Sequence, residues 1–238
     1  MANPYFAFKQ FTVFHDRCAM KVGTDGVLLG AWADVSGSRR MLDVGTGSGL
    51  IALMLAQRNP NVQVLAIDMD KDAVEQAREN VRKSPFASRI TVENISYQLF
   101  ANEDCGYFDH IVSNPPFFAS SLLSPDGRRS AARHEVSLDL EQLLDISRRI
   151  LAPFGRISLI LPFDAITKLQ RLSERFGYFL VRETRVLPMP ESSPKRILIE
   201  LSMEPVLDPV RSELVIEQRR QAYTDEFSEL VKDFYLYL

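Results

Sequence analysis

Covalent and metal staples are scarce in this chain. Its 238 residues include only two cysteines, Cys18 and Cys105, too few for a disulfide framework or a usual zinc site. A reducing, cytoplasmic setting is therefore expected. The three histidines, His15, His110 and His134, show no metal-ligand spacing. Long apolar runs are missing too: stretches such as Ile157 to Leu161 are far too short to cross a bilayer. Met1 to Gln10 has no apolar core and no cleavage pattern, so no secretory signal is expected. There is no G-x-S-x-G elbow for a serine nucleophile, and no Lys-Ser/Thr after a glycine-rich turn to cradle phosphates. Excess positive charge is absent as well. The net charge is −3, which excludes a protein coated in basic residues but not a local basic patch. Arg128, Arg129, Arg133 and His134 form such a patch.

What is present is an ordinary globular composition, 46% hydrophobic and 25% charged, with no repeat, low-complexity tract or linker. A single domain is expected, residues 40–238, preceded by an extension, 1–39, that packs over a cofactor site. Strands are expected at Arg40–Val44, Val62–Ile67, Arg89–Glu93, Phe108–Ser113 and Arg156–Leu161. Helices are expected at Leu50–Gln57, Asp70–Lys83, Leu138–Leu151 (with Pro153 as a stop beyond it) and Phe163–Phe176. Such alternation gives a mostly parallel α/β sheet with helices on both faces. Tyr178–Leu187 and Lys195–Met203 follow with only a short Pro-containing loop between them, so the expected seven-stranded sheet closes on an antiparallel hairpin. A dinucleotide-binding Rossmann sheet stays parallel to its edge; the methyltransferase variant ends in this way.

Two constellations carry the chemistry. Asp43-Val44-Gly45-Thr46-Gly47-Ser48-Gly49 follows the first core strand, where glycines let the backbone approach a ligand. Its G-x-G-x-G spacing differs from the G-x-G-x-x-G of nicotinamide and flavin proteins. In a methyltransferase such a turn lies under the amino-acid and ribose portions of S-adenosylmethionine, with no pyrophosphate to bind; a glycine-rich turn alone does not establish that ligand. Asp68 ends the next strand, where a carboxylate can accept from both ribose hydroxyls, with Met69 beside it; nicotinamide enzymes place an acid similarly, so Asp68 alone does not separate the two cofactors. Asp43 is a second candidate, orienting the glycine loop or an amine. Asn114-Pro115-Pro116-Phe117 follows the fourth strand, at the carboxyl rim where reacting groups gather in such sheets. An exocyclic aromatic amine is a poor nucleophile because its lone pair is delocalised. The Asn114 side-chain oxygen and the Pro115 carbonyl can accept from its N–H groups and free that lone pair, while Phe117 stacks on the base. Pro116 stiffens the loop.

With these residues in view, the chain resembles the bacterial tRNA1(Val) adenine-N6 methyltransferase family of class I S-adenosylmethionine-dependent enzymes. The resemblance rests on Phe8-Lys9-Gln10-Phe11, His15 to Gly26 with its Lys21-Val22-Gly23-Thr24-Asp25-Gly26 stretch, Leu28 to Trp32, the glycine turn, Ser113-Asn114-Pro115-Pro116 and Phe234-Tyr235-Leu236. It implies methylation of the adenine 3′ to the anticodon, position 37, with Lys21 to Asp25 lining the cofactor's amino-acid end and Thr24 and Asp25 as the contacts. Read without the resemblance, that stretch is a turn and helix cap with Thr24 at the N-cap. It also implies an acid after the third strand to receive the cofactor's adenine amine. Here Ser96 occupies that place. The target adenine must leave its stack, and Arg128, Arg129 and Arg133 are candidates for holding the loop phosphates. No metal and no membrane partner are expected. Ribosomal RNA bases and the glutamine amide of a release factor are alternative acceptors for the same Asn-Pro-Pro-aromatic chemistry.

Overall fold

The computed structural model describes residues 3–102, 105–116 and 139–238. Phe117 and the Arg128, Arg129, Arg133 and His134 patch lie outside the described residues.

The core is an eight-stranded sheet. Its strands are β3 (Arg40–Val44), β4 (Gln63–Asp68), β5 (Ile90–Asn94), β6 (Phe108–Ser113), β7 (Leu151–Pro162), β8 (Phe179–Leu187), β9 (Arg196–Ser202) and β10 (Val210–Val215). They lie in the order β10-β8-β9-β7-β6-β3-β4-β5. β3 to β7 run parallel, and β9 pairs antiparallel with both β7 and β8. The expected seven strands and their closing hairpin are thus present, and β10 adds an eighth, parallel to β8. Its sequence reads Val-Arg-Ser-Glu-Leu-Val and its first four residues are exposed, so no apolar alternation announced it.

The helices are α1 (Thr24–Trp32), α2 (Leu50–Arg58), α3 (Lys71–Arg82), the single turn α4 (Tyr97–Phe100), α5 (Leu140–Ile150), α6 (Ile166–Phe176) and α7 (Asp225–Val231). One core cluster joins α1, α2 and α3 to Met41, Val112, Ile160 and Leu198 of the sheet. The other joins α5 and α6 to Leu42, Ile111, Leu159 and Ile197. Neighbouring sheet residues fall in opposite clusters, as the two-residue strand period requires.

Local chemistry sets the helix ends. Asp70 caps α3 by accepting from the Asp72 and Ala73 amides, and Ala73, Val74, Ala77 and Val81 form its buried stripe. Asp139 caps α5 by accepting from the Gln142 amide. That helix ends at Ile150, ahead of Pro153, and β7 begins immediately, earlier than expected, with Phe154 in left-handed backbone at φ 64°. At α1 the expected cap is corrected: extended Gly23 is the N-cap and Thr24 is the first helical residue. Within the extension, β1 (Tyr5–Ala7) and β2 (Thr12–Phe14) form a small antiparallel ribbon. The chain ends meet there, with the Lys9 amide donating to the Phe234 carbonyl (2.8 Å) and Phe8 bridged to Tyr235.

Candidate active site

From β3 the chain passes through α2 to β4 and β5 on one side, then returns to place β6 on the other side of β3. This reversal is a switch point, where open α/β sheets form a crevice at the carboxyl ends of their strands. The glycine turn leaves β3 and Asn114 leaves β6 on either side of it. The register brings them together, since Val44 of β3 pairs with Ser113 of β6. Ser113 also donates its hydroxyl to the Val44 carbonyl at 2.8 Å, fixing the two strand exits against each other.

The turn itself is built from backbone. Gly45, Gly47 and Gly49 have φ of 72°, 53° and 81°, the left-handed region that disfavours a side chain. A Cβ on Gly45 or Gly47 would project into open space, so the turn presents a bare, ligand-accessible surface. The Gly45 and Thr46 amides bond the Ile67 carbonyl of β4, and the Gly47 amide donates to Asp68 Oδ2 at 2.8 Å. Asp68 Oδ1 accepts from the Asp70 amide (2.9 Å). Burial raises the Asp68 carboxyl above its ordinary range against these two bonds.

Asp43 lies beneath the turn, fully buried. Its Oδ2 accepts from the Thr46 hydroxyl (2.6 Å) and the Ala52 amide (3.1 Å), whereas Oδ1 has no partner among the described residues. Burial pushes its carboxyl up to about 7, with the nearby Asp68 charge adding to the rise. Thr46 therefore acts on Asp43, its hydroxyl being turned inward. Met69 is exposed beside Asp68.

Asn114 is half-buried and Pro115 buried, while Pro116 is exposed. Among the described residues the Asn114 side chain has no hydrogen-bond partner. Thr24 and Asp25 open α1, whose Gly26 faces Leu50 so closely that a Cβ would lie 3.0 Å from a Leu50 methyl. The start of α1 therefore sits beside the exit of the glycine turn. Asp25 is not free there: its Oδ2 accepts from Arg196 Nε at 2.8 Å. Lys21 is exposed on the approach to α1. Ser96 follows β5 next to Asp68, where the Ile95 amide bonds the Asp68 carbonyl. Its hydroxyl caps α4 by accepting from the Leu99 amide (3.3 Å), so one of its lone pairs is already engaged.

Asn80, which sequence reasoning passed over, and Cys18 both bear on the surroundings of the site. Asn80, buried on α3, exchanges bonds with the Phe14 amide and carbonyl and donates to the Ser48 carbonyl at 2.8 Å. It thereby ties β2 to the glycine turn. A polar residue within the apolar stripe of α3 was the available signal. Cys18, half-buried, has its thiol pushed up to about 11 by burial and by the nearby charges of Asp68, Asp70 and Asp16. The loop before α1 thus passes close to the acid that ends β4.

Comparison with known proteins sets this geometry in a family. Residues 18–177 match the model of the methyltransferase small domain. Over 236 residues, 99% of either chain, the sequence is 53% identical to the tRNA1(Val) (adenine(37)-N6)-methyltransferase of Parabacteroides distasonis. The chain belongs to this methyltransferase family. Family members of the same name from Trichodesmium erythraeum and Serratia proteamaculans are 45% and 42% identical, covering 99% and 98% of this chain and 99% and 90% of theirs. In structure, the chain resembles a predicted O-methyltransferase of Agrobacterium tumefaciens, with a TM-score of 0.69 at 19% identity over 88% of this chain and 96% of that one. The class I methyltransferase fold is thereby shared.

Proposed function

We propose that this chain transfers a methyl group from S-adenosylmethionine to the exocyclic N6 of the adenine at position 37 of tRNA1(Val), the reaction for which its relatives are named. The carrying observation is the pairing, across the switch point, of a bare glycine turn with the Asn114-Pro115 exit of β6.

The residues suit the cofactor. Gly45, Gly47 and Gly49 leave room above the turn, the buried Asp43 Oδ1 offers an uncommitted acceptor to a cationic amine, and Asp68 keeps lone pairs for ribose hydroxyls. Met69 adds apolar surface, Ser96 keeps one lone pair for the adenine amine, and Lys21, Thr24 and Asp25 lie towards the amino-acid end. The Phe14–Asn80–Ser48 link supports a covering role on this side for the extension that precedes β3. When bound, the cofactor supplies an electrophilic sulfonium methyl. The Asn114 side-chain oxygen and Pro115 carbonyl accept from the two N–H groups of the target amine, directing its lone pair outward. The prolines hold these acceptors still, so little reorganisation accompanies reaction. Phe117 provides the stacking face, and Arg128, Arg129 and Arg133 hold the loop phosphates. No side chain is needed as a base, because the nitrogen proton can leave to water after transfer.

The test is mass spectrometry of nucleosides from tRNA of cells with and without this protein. N6-methyladenosine that disappears with the protein supports the reading; an unchanged level refutes it.

A further inference from the structure

Arg196 opens β9 and has no role in the methyl transfer proposed above. Its register shows which way it faces. Glu200 pairs with Ser158, Ser158 with Val112 and Val112 with Asp43, so these four share one face of the sheet. Arg196 lies four residues before Glu200 on β9 and therefore projects from that face, next to Pro162 at the carboxyl end of β7. Only β7 separates β9 from β6, so Arg196 stands two strand spacings, about 10 Å, to the side of the Asn114 exit and about two residues further along the strand direction. That gap is comparable with the span from a nucleotide's base edge to its phosphate.

The guanidinium is held but not used up. Nε donates to Asp25 and Nη1 to the Lys195 carbonyl (3.0 Å). The remaining donors of its five N–H groups have no partner among the described residues, and 36% of the side chain is exposed. Exposed Lys195 adds positive charge beside it; Asp25 and the exposed Glu191 of the same connection are the opposing charges. A fork fixed on one side and open on the other suits an oxyanion with several acceptor oxygens.

We propose that Arg196 grips a backbone phosphate of the RNA strand at the flipped adenine, with Asp25 holding the fork in place. This rests on the RNA reading above and assigns a substrate contact at that same site. Asp25 then joins two tasks, since the α1 start that flanks the glycine turn also sets the position of the phosphate ligand.

The test compares wild type with Arg196→Gln and Arg196→Lys, using a tRNA1(Val) transcript and S-adenosylmethionine as probes. Arg196→Gln should lower kcat/KM for the transcript about 10–100-fold, the value of one charge-assisted hydrogen bond, mainly through KM. In a salt titration of transcript binding, its log–log slope should flatten by roughly 0.7, as expected when one phosphate of a single strand is no longer neutralised. Arg196→Lys, which keeps the charge and a bond to Asp25, should recover part of the affinity. Cofactor affinity, measured by calorimetry, should change by less than the KM for the transcript in both variants, because Asp25 keeps its place at the start of α1. An unchanged slope and KM, or a loss confined to cofactor affinity, would overturn the assignment; the second outcome would reduce Arg196 to a prop for Asp25. A wild-type protein unable to methylate the transcript would count against the proposed function, whereas an active wild type matched by Arg196→Gln sinks only the phosphate grip.

Discussion

Two side chains have roles that can be measured one residue at a time. Asn114 is half-buried at a strand exit, and its amide oxygen is uncommitted among the described residues. Asn114→Ala removes the proposed acceptor for the target amine, so turnover should fall about 10²–10³-fold, the scale for losing one preorganised polar group. Cofactor binding should survive; near-normal turnover by this variant would refute the acceptor role. Asp43 is the other. Its carboxyl is raised from 3.8 to about 7 by burial, so the folded state holds a proton that the unfolded chain has released. This stabilises the fold fully below the unfolded value, and the contribution fades as pH rises towards the folded one. A cationic amine at Oδ1 needs the ionised form. Cofactor affinity in wild type should therefore rise roughly tenfold between about pH 5.5 and 7. Asp43→Asn should be weaker and flat across that range in calorimetric titrations. Equal wild-type affinity at both ends would contradict the role.

At the scale of elements, the sheet's parallel half was legible because each strand ends on a chemical mark: the glycine turn after β3, Asp68 on β4 and Asn114 after β6. The register then places these marks in one crevice. Helix α3 was legible from its stripe and its Asp70 cap. Elements without such marks were not. Strand β10 is a polar edge strand whose pairing with β8 depends on tertiary context, through bonds such as Ser212 to Thr184 (2.8 Å). The α1 cap was misplaced by one residue because Gly23 takes the extended cap conformation without a side-chain bond. The inward Thr46 hydroxyl and the Asp25–Arg196 pair are long-range or rotameric facts that no spacing encodes. Asn80 joins two elements, so its loss should be felt at both. Asn80→Ala strands the Phe14 and Ser48 backbone groups and should destabilise the fold by about 1–3 kcal/mol. Hydrogen exchange should quicken in β2 and the glycine turn together; faster exchange in only one of them would deny the coupling.

Across the whole molecule, the segments near the two chain ends close on one another. Phe8, Phe11 and Phe234 are buried, and Tyr235 lies against Phe6 and Phe8. The terminal aromatic residues thus have a structural task, holding the extension whose β2 reaches the glycine turn. Removing residues 233–238 should lower Tm and loosen the extension, with cofactor affinity falling alongside. Unaltered Tm and affinity would show that the closure is dispensable. No helix among the described residues is long and apolar enough to cross a membrane.

The proposed site, a crevice that joins a bare glycine turn to the Asn114-Pro115 exit, predicts methylation of a flat adenine amine at one position of one RNA. The most direct measurement is transfer of labelled methyl from S-adenosylmethionine to two tRNA1(Val) transcripts, one with adenine and one with guanine at position 37. Label should enter the adenine transcript as N6-methyladenosine at that nucleotide and be absent from the guanine transcript. Equal labelling of both, or none in either, would contradict that specificity.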